Sequence, residues 1–334
     1  MRQAFHRGHF PYSRMRRLRS SSFIRHLAAE TDINVRDLIL PLFVVEGFNQ
    51  RQTVESMPGI KRLSIDYLIE EVIEAESFVI PAVVLFPMIE KSRKTQTAEE
   101  SYNENGLIQT AIRKVKSAAP KIAIIADVAL DPYTAHGHDG IIDESTGYVL
   151  NDTTNKILVK QALSLAHAGA DIVAPSDMMD GRIGEIRKAL DKNGFKMTQI
   201  LSYAVKYASS FYGPFRDAVG TKGLLKSSKK NYQMDFRNSN EALREVALDI
   251  KEGADMVMVK PGLPYLDIIK LVKENFKIPV MAYQVSGEYS LLENGIKKGL
   301  TNNDIVIESL IAFKRAGANA IVSYYADRLD TILK

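Results

Sequence analysis

A lysine ends the apolar run Asp255-Met-Val-Met-Val-Lys260. Burial of such a lysine penalises its ammonium form, which lowers the pKa from the reference value of about 10.4. The charge of a second lysine, Lys206, would lower the pKa of Lys260 further if the two lie close together. A neutral lysine amine is the nucleophile that forms a Schiff base with a ketone. The pattern indicates imine chemistry at Lys260, and the alternative is a rim lysine with its charge in water.

A polar loop, residues 127–139, follows another apolar run and contains three aspartates and two histidines. Asp131, His136, His138 and Asp139 could hold a hard cation, or the carboxylates could orient an amine. Polar loop side chains also commonly bond their own backbone. The residues alone leave these three interpretations open.

A second candidate segment, residues 211–234, contains Arg216 in an aromatic context and then the basic stretch Lys222–Lys230. Glycine, serine and lysine without apolar periodicity predict a lid over a site. A solvated surface loop is the alternative for the lysines. Arg216 offers a planar fork that can bind a carboxylate through two hydrogen bonds.

The elements that must position these side chains alternate between strand and helix patterns. Eight apolar runs predict strands at Leu38–Val45, Phe78–Phe86, Lys121–Asp127, Asp171–Pro175, Gln199–Tyr203, Asp255–Lys260, Pro279–Gln284 and Ala320–Tyr325. Helical patterns lie between them, for example at Leu107–Ala119, Thr154–Ala168, Glu241–Lys251 and Asp304–Lys314. Alternation of this kind predicts a parallel sheet, and eight strands predict a closed (β/α)8 TIM barrel.

A short repeat joins three helices to the strands that follow. Gly169, Gly253 and Gly317 each stand between a helical pattern and a strand, in the strings HAGAD, KEGAD and RAGAN. Glycine can adopt the left-handed conformation that ends a helix. An open doubly wound sheet uses similar turns, but the sequence contains no glycine-rich phosphate loop of the usual nucleotide-binding patterns.

In such a barrel, the carboxyl ends of the strands build the active site. The predicted strand ends carry polar residues that are far apart in sequence. They are Asp127, Ser176, Asp177, Lys206, Lys260, Ser286 and Tyr325. We therefore expect these side chains to meet at one mouth.

The composition is that of an ordinary globular protein, with 46% hydrophobic and 25% charged residues among 334. The absence of cysteine excludes disulfides, thiolate catalysis and cysteine-ligated metals, and it fits a reducing, cytoplasmic location. The opening residues lack the apolar stretch of a signal peptide. We expect neither a membrane nor a nucleic acid as partner.

The net charge of +4 is unevenly distributed. Residues 1–25 carry seven arginines and no acid, so the remainder has a net charge of −3. We predict an N-terminal arm for subunit contacts at residues 1–30 and a catalytic barrel at residues 31–334.

Long strings of the chain resemble the porphobilinogen synthase (5-aminolaevulinate dehydratase) family. In chain order they are RMRRLR, PLFV, SMPG, DVALDPYTAHGHDG, APSDMMDGRIG, SYAVKYASSFYGPFRDA, YQM, GADMVMVKPGLPYLDI, VSGEYS and SYYA. The resemblance implies a lyase of tetrapyrrole (haem) biosynthesis. Such an enzyme condenses two molecules of 5-aminolaevulinate to porphobilinogen with loss of two waters.

The resemblance also implies roles for individual residues. Lys260 would form a Schiff base with the substrate that becomes the propionate side of the product, and Lys206 with the substrate of the acetate side. Ser286 and Tyr325 would bind the carboxylate of the first substrate. The carboxylate of the second would be bound by Arg216, Lys229 and Gln233. The pocket for its amine would be lined by Asp127, Asp131, Asp139 and Ser176.

The metal expectation depends on one departure from the family pattern. Zinc-dependent members carry cysteines where this sequence has Ala129, Asp131 and Asp139. Carboxylates do not replace thiolates as soft zinc ligands, so no catalytic zinc is expected. Glu245 matches the position that binds an allosteric Mg²⁺ in magnesium-activated members; the alternative is a solvated helix glutamate.

Two other functions remain open at this stage. A keto-acid aldolase would need only one Schiff-base lysine. A binding protein could use the basic arm on RNA or an anionic membrane, with affinity that falls steeply with salt. The resemblance instead implies that the arm wraps a neighbouring subunit in a homo-octamer.

Overall fold

The computed structural model describes residues 8–224 and 228–333, without the side chains of Asp330 and Leu333. Arg2 and Arg7 of the predicted arm, and residues 225–227 of the predicted lid, lie outside the described residues. The chain divides into two compact units, Met1–Asp32 and Ile33–Lys334. The role of the first unit in subunit contacts stays a prediction.

The first unit contains a 3-10 helix at Met15–Arg19 and a short α-helix, α1, at Ser22–Leu27. Neither helix has a buried residue. The backbone N–H of Ile24 donates to the Ser21 hydroxyl, which caps α1. Large apolar side chains are exposed on this unit, at Phe10, Tyr12, Met15, Leu18, Phe23 and Leu27.

The second unit is a barrel of eight parallel strands. The strands of the unit are β1 (Leu38–Val45), β2 (Arg51–Thr53), β3 (Lys61–Leu63), β4 (Ala82–Met88), β5 (Ala123–Val128), β6 (Ile172–Pro175), β7 (Gln199–Lys206), β8 (Met256–Lys260), β9 (Val280–Tyr283) and β10 (Ala320–Val322). Their order is β1-β4-β5-β6-β7-β8-β9-β10, and β10 pairs with β1 to close the ring. The predicted (β/α)8 TIM barrel is confirmed, and β2 and β3 form an unpredicted hairpin beside β1.

The helices surround this ring. They are α2 (Ile65–Ser77), α3 (Leu107–Ala118), α4 (Asn151–Ala168), α5 (Arg182–Lys192), α6 (Gly213–Ala218), α7 (Asn240–Glu252), α8 (Leu266–Asn275), α9 (Ser286–Lys297), α10 (Asp304–Ala316) and α11 (Leu329–Leu333). Gly169, Gly253 and Gly317 end α4, α7 and α10 in the left-handed conformation, as the repeat predicts. No described helix is long and apolar enough to cross a membrane.

Several strand boundaries differ from the prediction, three of them by three or more residues. Residues Phe78–Pro81 are not strand, because Phe78 caps α2 and the chain then turns through Val79 at a φ of 63°. β7 continues past Tyr203 to Lys206. β10 ends at Val322, so Tyr325 lies in the turn that follows the strand and does not end it.

Candidate active site

Two lysines stand side by side at the mouth of the barrel. Lys206 is the last residue of β7, Lys260 is the last residue of β8, and the two are direct partners in the parallel register. Neighbouring strands lie about 4.8 Å apart. Both lysines are buried, each with 6% of its surface exposed. The predicted position of Lys206 just past its strand is wrong, because the strand itself carries this residue.

A β-bulge explains why both lysines face inward. The register shifts between Ser202 and Val205, where β7 has one more residue than β8. Tyr203 faces the interior, where its ring lies below Lys260. Regular alternation would turn Lys206, three residues later, to the opposite face. The extra residue restores the inward direction of Lys206.

Aromatic rings surround the amine of Lys260. Its Nζ lies between 4.6 and 5.5 Å from the ring centres of Tyr203, Tyr212, Phe215 and Tyr283. Burial, followed by the charge of Lys206, lowers the pKa of Lys260 to about 7. Nearby carboxylates, first among them Asp127, oppose this shift. A large fraction of Lys260 is therefore a neutral amine near neutral pH, as imine formation requires.

Asp127 is a second group with an unusual protonation equilibrium. It lies one residue before the end of β5. Burial raises the pKa of Asp127 to about 7, against the lowering effects of Lys260 and of a hydrogen bond with Ser176. A carboxyl group of this kind can both accept and release a proton near neutral pH.

Lys206 contacts two groups of the mouth. Its Nζ lies 3.2 Å from Oδ1 of Asp139 and donates to the carbonyl oxygen of Ser176. Burial disfavours ionised Asp139, but Lys206 and Lys229 outweigh it and hold the pKa of Asp139 well below its usual range. Asp139 is thus a buried anion beside one of the two lysines.

The lid segment brings a further cation, Lys229, to the carboxylates of Asp139 and Asp131. Lys229 lies 2.7 Å from Asp139 and 3.3 Å from Asp131. Burial disfavours its ammonium form, yet the two aspartates raise the pKa of Lys229. Both carboxylates therefore have a cationic partner, an arrangement that suits amine chemistry. The third position of the zinc pattern, Ala129, is buried and carries no ligand atom in its side chain.

Arg216 and Gln233 lie at the same side of the mouth. Arg216 is half-buried on α6, and its charge opposes the raised pKa of Lys229. In residues 8–224 and 228–333, no group forms an ion pair or hydrogen bond with its guanidinium. Gln233 is buried, and its backbone N–H donates to the carbonyl oxygen of Lys229. The structure thus places both near Lys229, and their role as a common ligand set stays a prediction.

Ser286 and Tyr325, the predicted carboxylate ligands of the first substrate, lie in different surroundings. Ser286 is the first residue of α9, and its hydroxyl accepts a hydrogen bond from the N–H of Phe215, a ring of the Lys260 cage. Tyr325 is buried, with its ring 4.9 Å from that of Tyr289 and beside the Arg328 guanidinium. The structure joins Ser286 to the surroundings of Lys260 and gives Tyr325 a packed position on the neighbouring turn.

Glu245 lies outside the barrel mouth, on α7, where it lines a cavity of about 330 Å³ together with Asp180, Gln233 and Glu241. Burial raises the pKa of Glu245, and the Arg182 charge opposes the shift. The described residues contain no cluster of three potential metal ligands here or elsewhere. Mg²⁺ fits such a place nevertheless, since it keeps several waters and binds through one or two carboxylates.

Sequence reasoning missed two groups of this site. The cage rings of Tyr203, Tyr212 and Phe215 come from the aromatic string around Lys206, whose density was the available signal. Lys94 is also buried, and its Nζ donates to the carbonyl oxygen of Gly220 at the base of the lid. No sequence pattern marked Lys94, because it stands in a polar segment.

Comparison with known proteins gives a consistent result. The family model described as delta-aminolevulinic acid dehydratase matches residues 12–332. Curated relatives of that name include one from Bradyrhizobium diazoefficiens, 50% identical over 94% of this chain and 89% of the relative. One from Rhodobacter capsulatus is 48% identical over 95% of each chain.

A solved structure gives the same likeness in three dimensions. Delta-aminolevulinic acid dehydratase (porphobilinogen synthase) from Toxoplasma gondii, in complex with the reaction product porphobilinogen, has a TM-score of 0.93 and 49% sequence identity. The alignment covers 96% of this chain and 91% of the other.

Proposed function

The chain belongs to the delta-aminolevulinic acid dehydratase family and is an enzyme with porphobilinogen synthase activity, and we propose that Lys260 and Lys206 carry the condensation. The observation that supports this assignment is their pairing at the ends of two adjacent strands. Two amines side by side can each hold one substrate as an imine. A keto-acid aldolase needs one such lysine and gives no reason for the second.

The first substrate reacts at Lys260. The neutral amine adds to the ketone carbon of 5-aminolaevulinate, and the carbinolamine loses water to give an imine. The aromatic cage excludes bulk water that would hydrolyse this imine, and its ring faces favour a cationic nitrogen. Asp127, with a pKa of about 7, takes and returns the protons of these steps.

The second substrate reacts at Lys206 in the same way. Asp139 stays anionic and faces the nitrogen of Lys206, so it stabilises the positive charge of the iminium that forms there. Asp131 and Ser176 complete the pocket for the substrate amine. Arg216, Lys229 and Gln233 are assigned to its carboxylate, and Ser286 and Tyr325 to that of the first substrate.

The condensation then joins the two tethered molecules. A carbon of one substrate, deprotonated beside its imine, attacks the imine carbon of the other. An amine closes the ring by displacing a lysine, the second lysine is released, and loss of a proton gives the aromatic pyrrole. Two waters leave in total. Tethering removes up to about 7–11 kcal/mol of the barrier that a meeting of free molecules would have.

The assay that tests the assignment measures porphobilinogen from 5-aminolaevulinate as the only substrate. The wild-type chain should form product, and Lys260→Met should form none. Loss of Lys206 separates the rivals, because an aldolase would keep its chemistry without it. Appreciable porphobilinogen formation by Lys260→Met would reject the role of this lysine.

Magnesium is assigned a regulatory place at Glu245. The supporting feature is the Glu245 carboxylate on the cavity wall, a hard oxygen ligand of the kind that Mg²⁺ takes together with several waters. When bound, the ion would supply a fixed positive charge at this wall. Gln233 lines the same cavity and belongs to the lid, so an ion bound in the cavity can affect the active site through Gln233. No catalytic zinc is assigned.

The arm is assigned to subunit contacts in a homo-octamer. Support comes from its exposed apolar side chains and its arginines, which are opposite in charge to the rest of the chain. Large exposed apolar patches are typical of interfaces. The cysteine-free composition fits a cytoplasmic enzyme.

A further inference from the structure

Tyr232, in the lid segment, reaches the polar loop of the barrel with its hydroxyl group. The hydroxyl donates to Oδ2 of Asp139 at 2.8 Å and accepts from the backbone N–H of the same residue at 3.3 Å. It also lies 3.2 Å from Nδ1 of His138. One lid side chain therefore has three polar contacts with two consecutive residues of the loop.

These contacts match the hydrogen-bonding capacity of a neutral phenol. A tyrosine hydroxyl donates one hydrogen bond and accepts two. The hydroxyl hydrogen of Tyr232 points at the Asp139 carboxylate. The two lone pairs of the hydroxyl oxygen then accept from the Asp139 N–H and from His138, whose proton is on Nδ1. Burial raises the pKa of Tyr232 well above its usual value, and burial followed by Lys229 lowers that of His138. Both groups are thus neutral in the working range.

The hydrogen bond fixes which oxygen of Asp139 serves which partner. Oδ2 accepts a hydrogen bond from the Tyr232 hydroxyl at 2.8 Å and lies 2.7 Å from Nζ of Lys229. Oδ1 is left for Lys206, at 3.2 Å. Both Oδ2 partners come from the lid, Lys229 in a 3-10 turn and Tyr232 directly after it. The position of the lid therefore determines how the Asp139 carboxylate meets Lys206.

We propose that Tyr232 is a positioning residue that holds Asp139 in the orientation required for imine formation at Lys206 when the lid is in place. The inference rests on the proposed role of Lys206. By itself, Lys229 would hold Oδ2 only through a rotatable ammonium group, and this group must also bind the substrate carboxylate. Tyr232 has a rigid ring and no other duty in the site, so it keeps Asp139 oriented while Lys229 changes partners.

The variant Tyr232→Phe removes the hydroxyl and keeps the ring. We expect kcat to fall about tenfold to a hundredfold, with KM changed less than about threefold, as a lost hydrogen bond to a charged group predicts. Borohydride trapping with substrate, read by peptide mass spectrometry, should give less adduct at Lys206 and an unchanged amount at Lys260. Tyr67→Phe, which removes a hydroxyl bonded to Asn49 on the barrel surface, is the matched control and should behave as wild type.

A double-mutant cycle with Asp139→Asn separates positioning from a general effect on the lid. If Tyr232 acts through Asp139, Tyr232→Phe should cost little in a chain that already carries Asp139→Asn. Additive losses, wild-type kcat in Tyr232→Phe, or equal loss of adduct at both lysines would each overturn the inference. Wild-type enzyme that makes product without an adduct at Lys206 would instead overturn the proposed role of Lys206, and this inference with it.

Discussion

Lys206 and Lys260 are opposite each other in the β7–β8 register, and both point into the barrel. The pairing depends on the single extra residue between Ser202 and Val205. It places two amines of different surroundings at one mouth. Lys260 lies among aromatic rings and Lys206 beside an anion. Two identical substrates can thereby be held in different chemical roles.

The pH dependence of kcat/KM should reflect deprotonation of the Lys260 ammonium group. Because its pKa is lowered to about 7, the neutral fraction grows as pH rises through this value. We expect kcat/KM to rise with pH and reach a plateau above about 8. The apparent midpoint belongs to Lys260 and Asp127 together, since each affects the other.

Asp127→Asn should change this profile in a defined direction. The Asp127 charge raises the pKa of Lys260, so its removal should move the rising limb to lower pH. The rate at the plateau should fall about a hundredfold or more, because the proton carrier is lost. A limb that moves to higher pH would contradict the electrostatic account.

Glu288→Gln should destabilise the fold around Lys260. The buried carboxylate accepts hydrogen bonds from the N–H groups of Gly262, Leu263 and Val285, which join the turn after Lys260 to the start of α9. An amide can accept only through one atom, so we expect a loss of about 1–3 kcal/mol in the free energy of unfolding, measured by urea denaturation. Glu274→Gln, at an exposed ion pair with Lys270, should cost less than about 1 kcal/mol and is the control. Equal losses would reject the role of Glu288.

Removal of divalent cations should lower the rate severalfold, and added Mg²⁺ should restore it. Zn²⁺ should not substitute, because oxygen ligands select the harder ion. In Glu245→Ala, the response to Mg²⁺ should disappear, whereas Glu308→Ala, at an exposed position of α10, should respond as wild type. Full stimulation of Glu245→Ala would place the ion elsewhere.

Deletion of residues 1–30 should give particles smaller than an octamer by light scattering. The single change Phe23→Ser, on the exposed surface of α1, should shift the distribution in the same direction. Met197→Ser, an exposed apolar residue of the barrel, should leave the mass unchanged. An unchanged mass after deletion would contradict the role of the arm.

The barrel could be predicted from sequence because its strands are nearly continuous apolar runs. Lys260 stood out because four apolar residues precede it, and the glycines of the αβ turns marked helix ends correctly. The β2–β3 hairpin was missed because each strand has three residues and polar character. Local patterns carry no signal for so short a pair.

The details of the site depend on contacts between distant segments. The bulge in β7 is visible only against the register of β8, so the sequence pattern predicts a strand end at Tyr203. The Lys229–Asp139 ion pair joins residues far apart in the chain, and the sequence around neither residue indicates that the two are in contact. Tyr232 illustrates the same limit, because its role comes from the loop that it meets across the mouth.

The most direct test of the two-lysine account is borohydride trapping of isotope-labelled 5-aminolaevulinate, with the modified lysines located by peptide mass spectrometry. Wild-type enzyme should give adducts at both Lys206 and Lys260. Lys206→Met should form the adduct at Lys260 but no porphobilinogen. An adduct confined to one lysine in the wild type, together with porphobilinogen formation by Lys206→Met, would contradict the account.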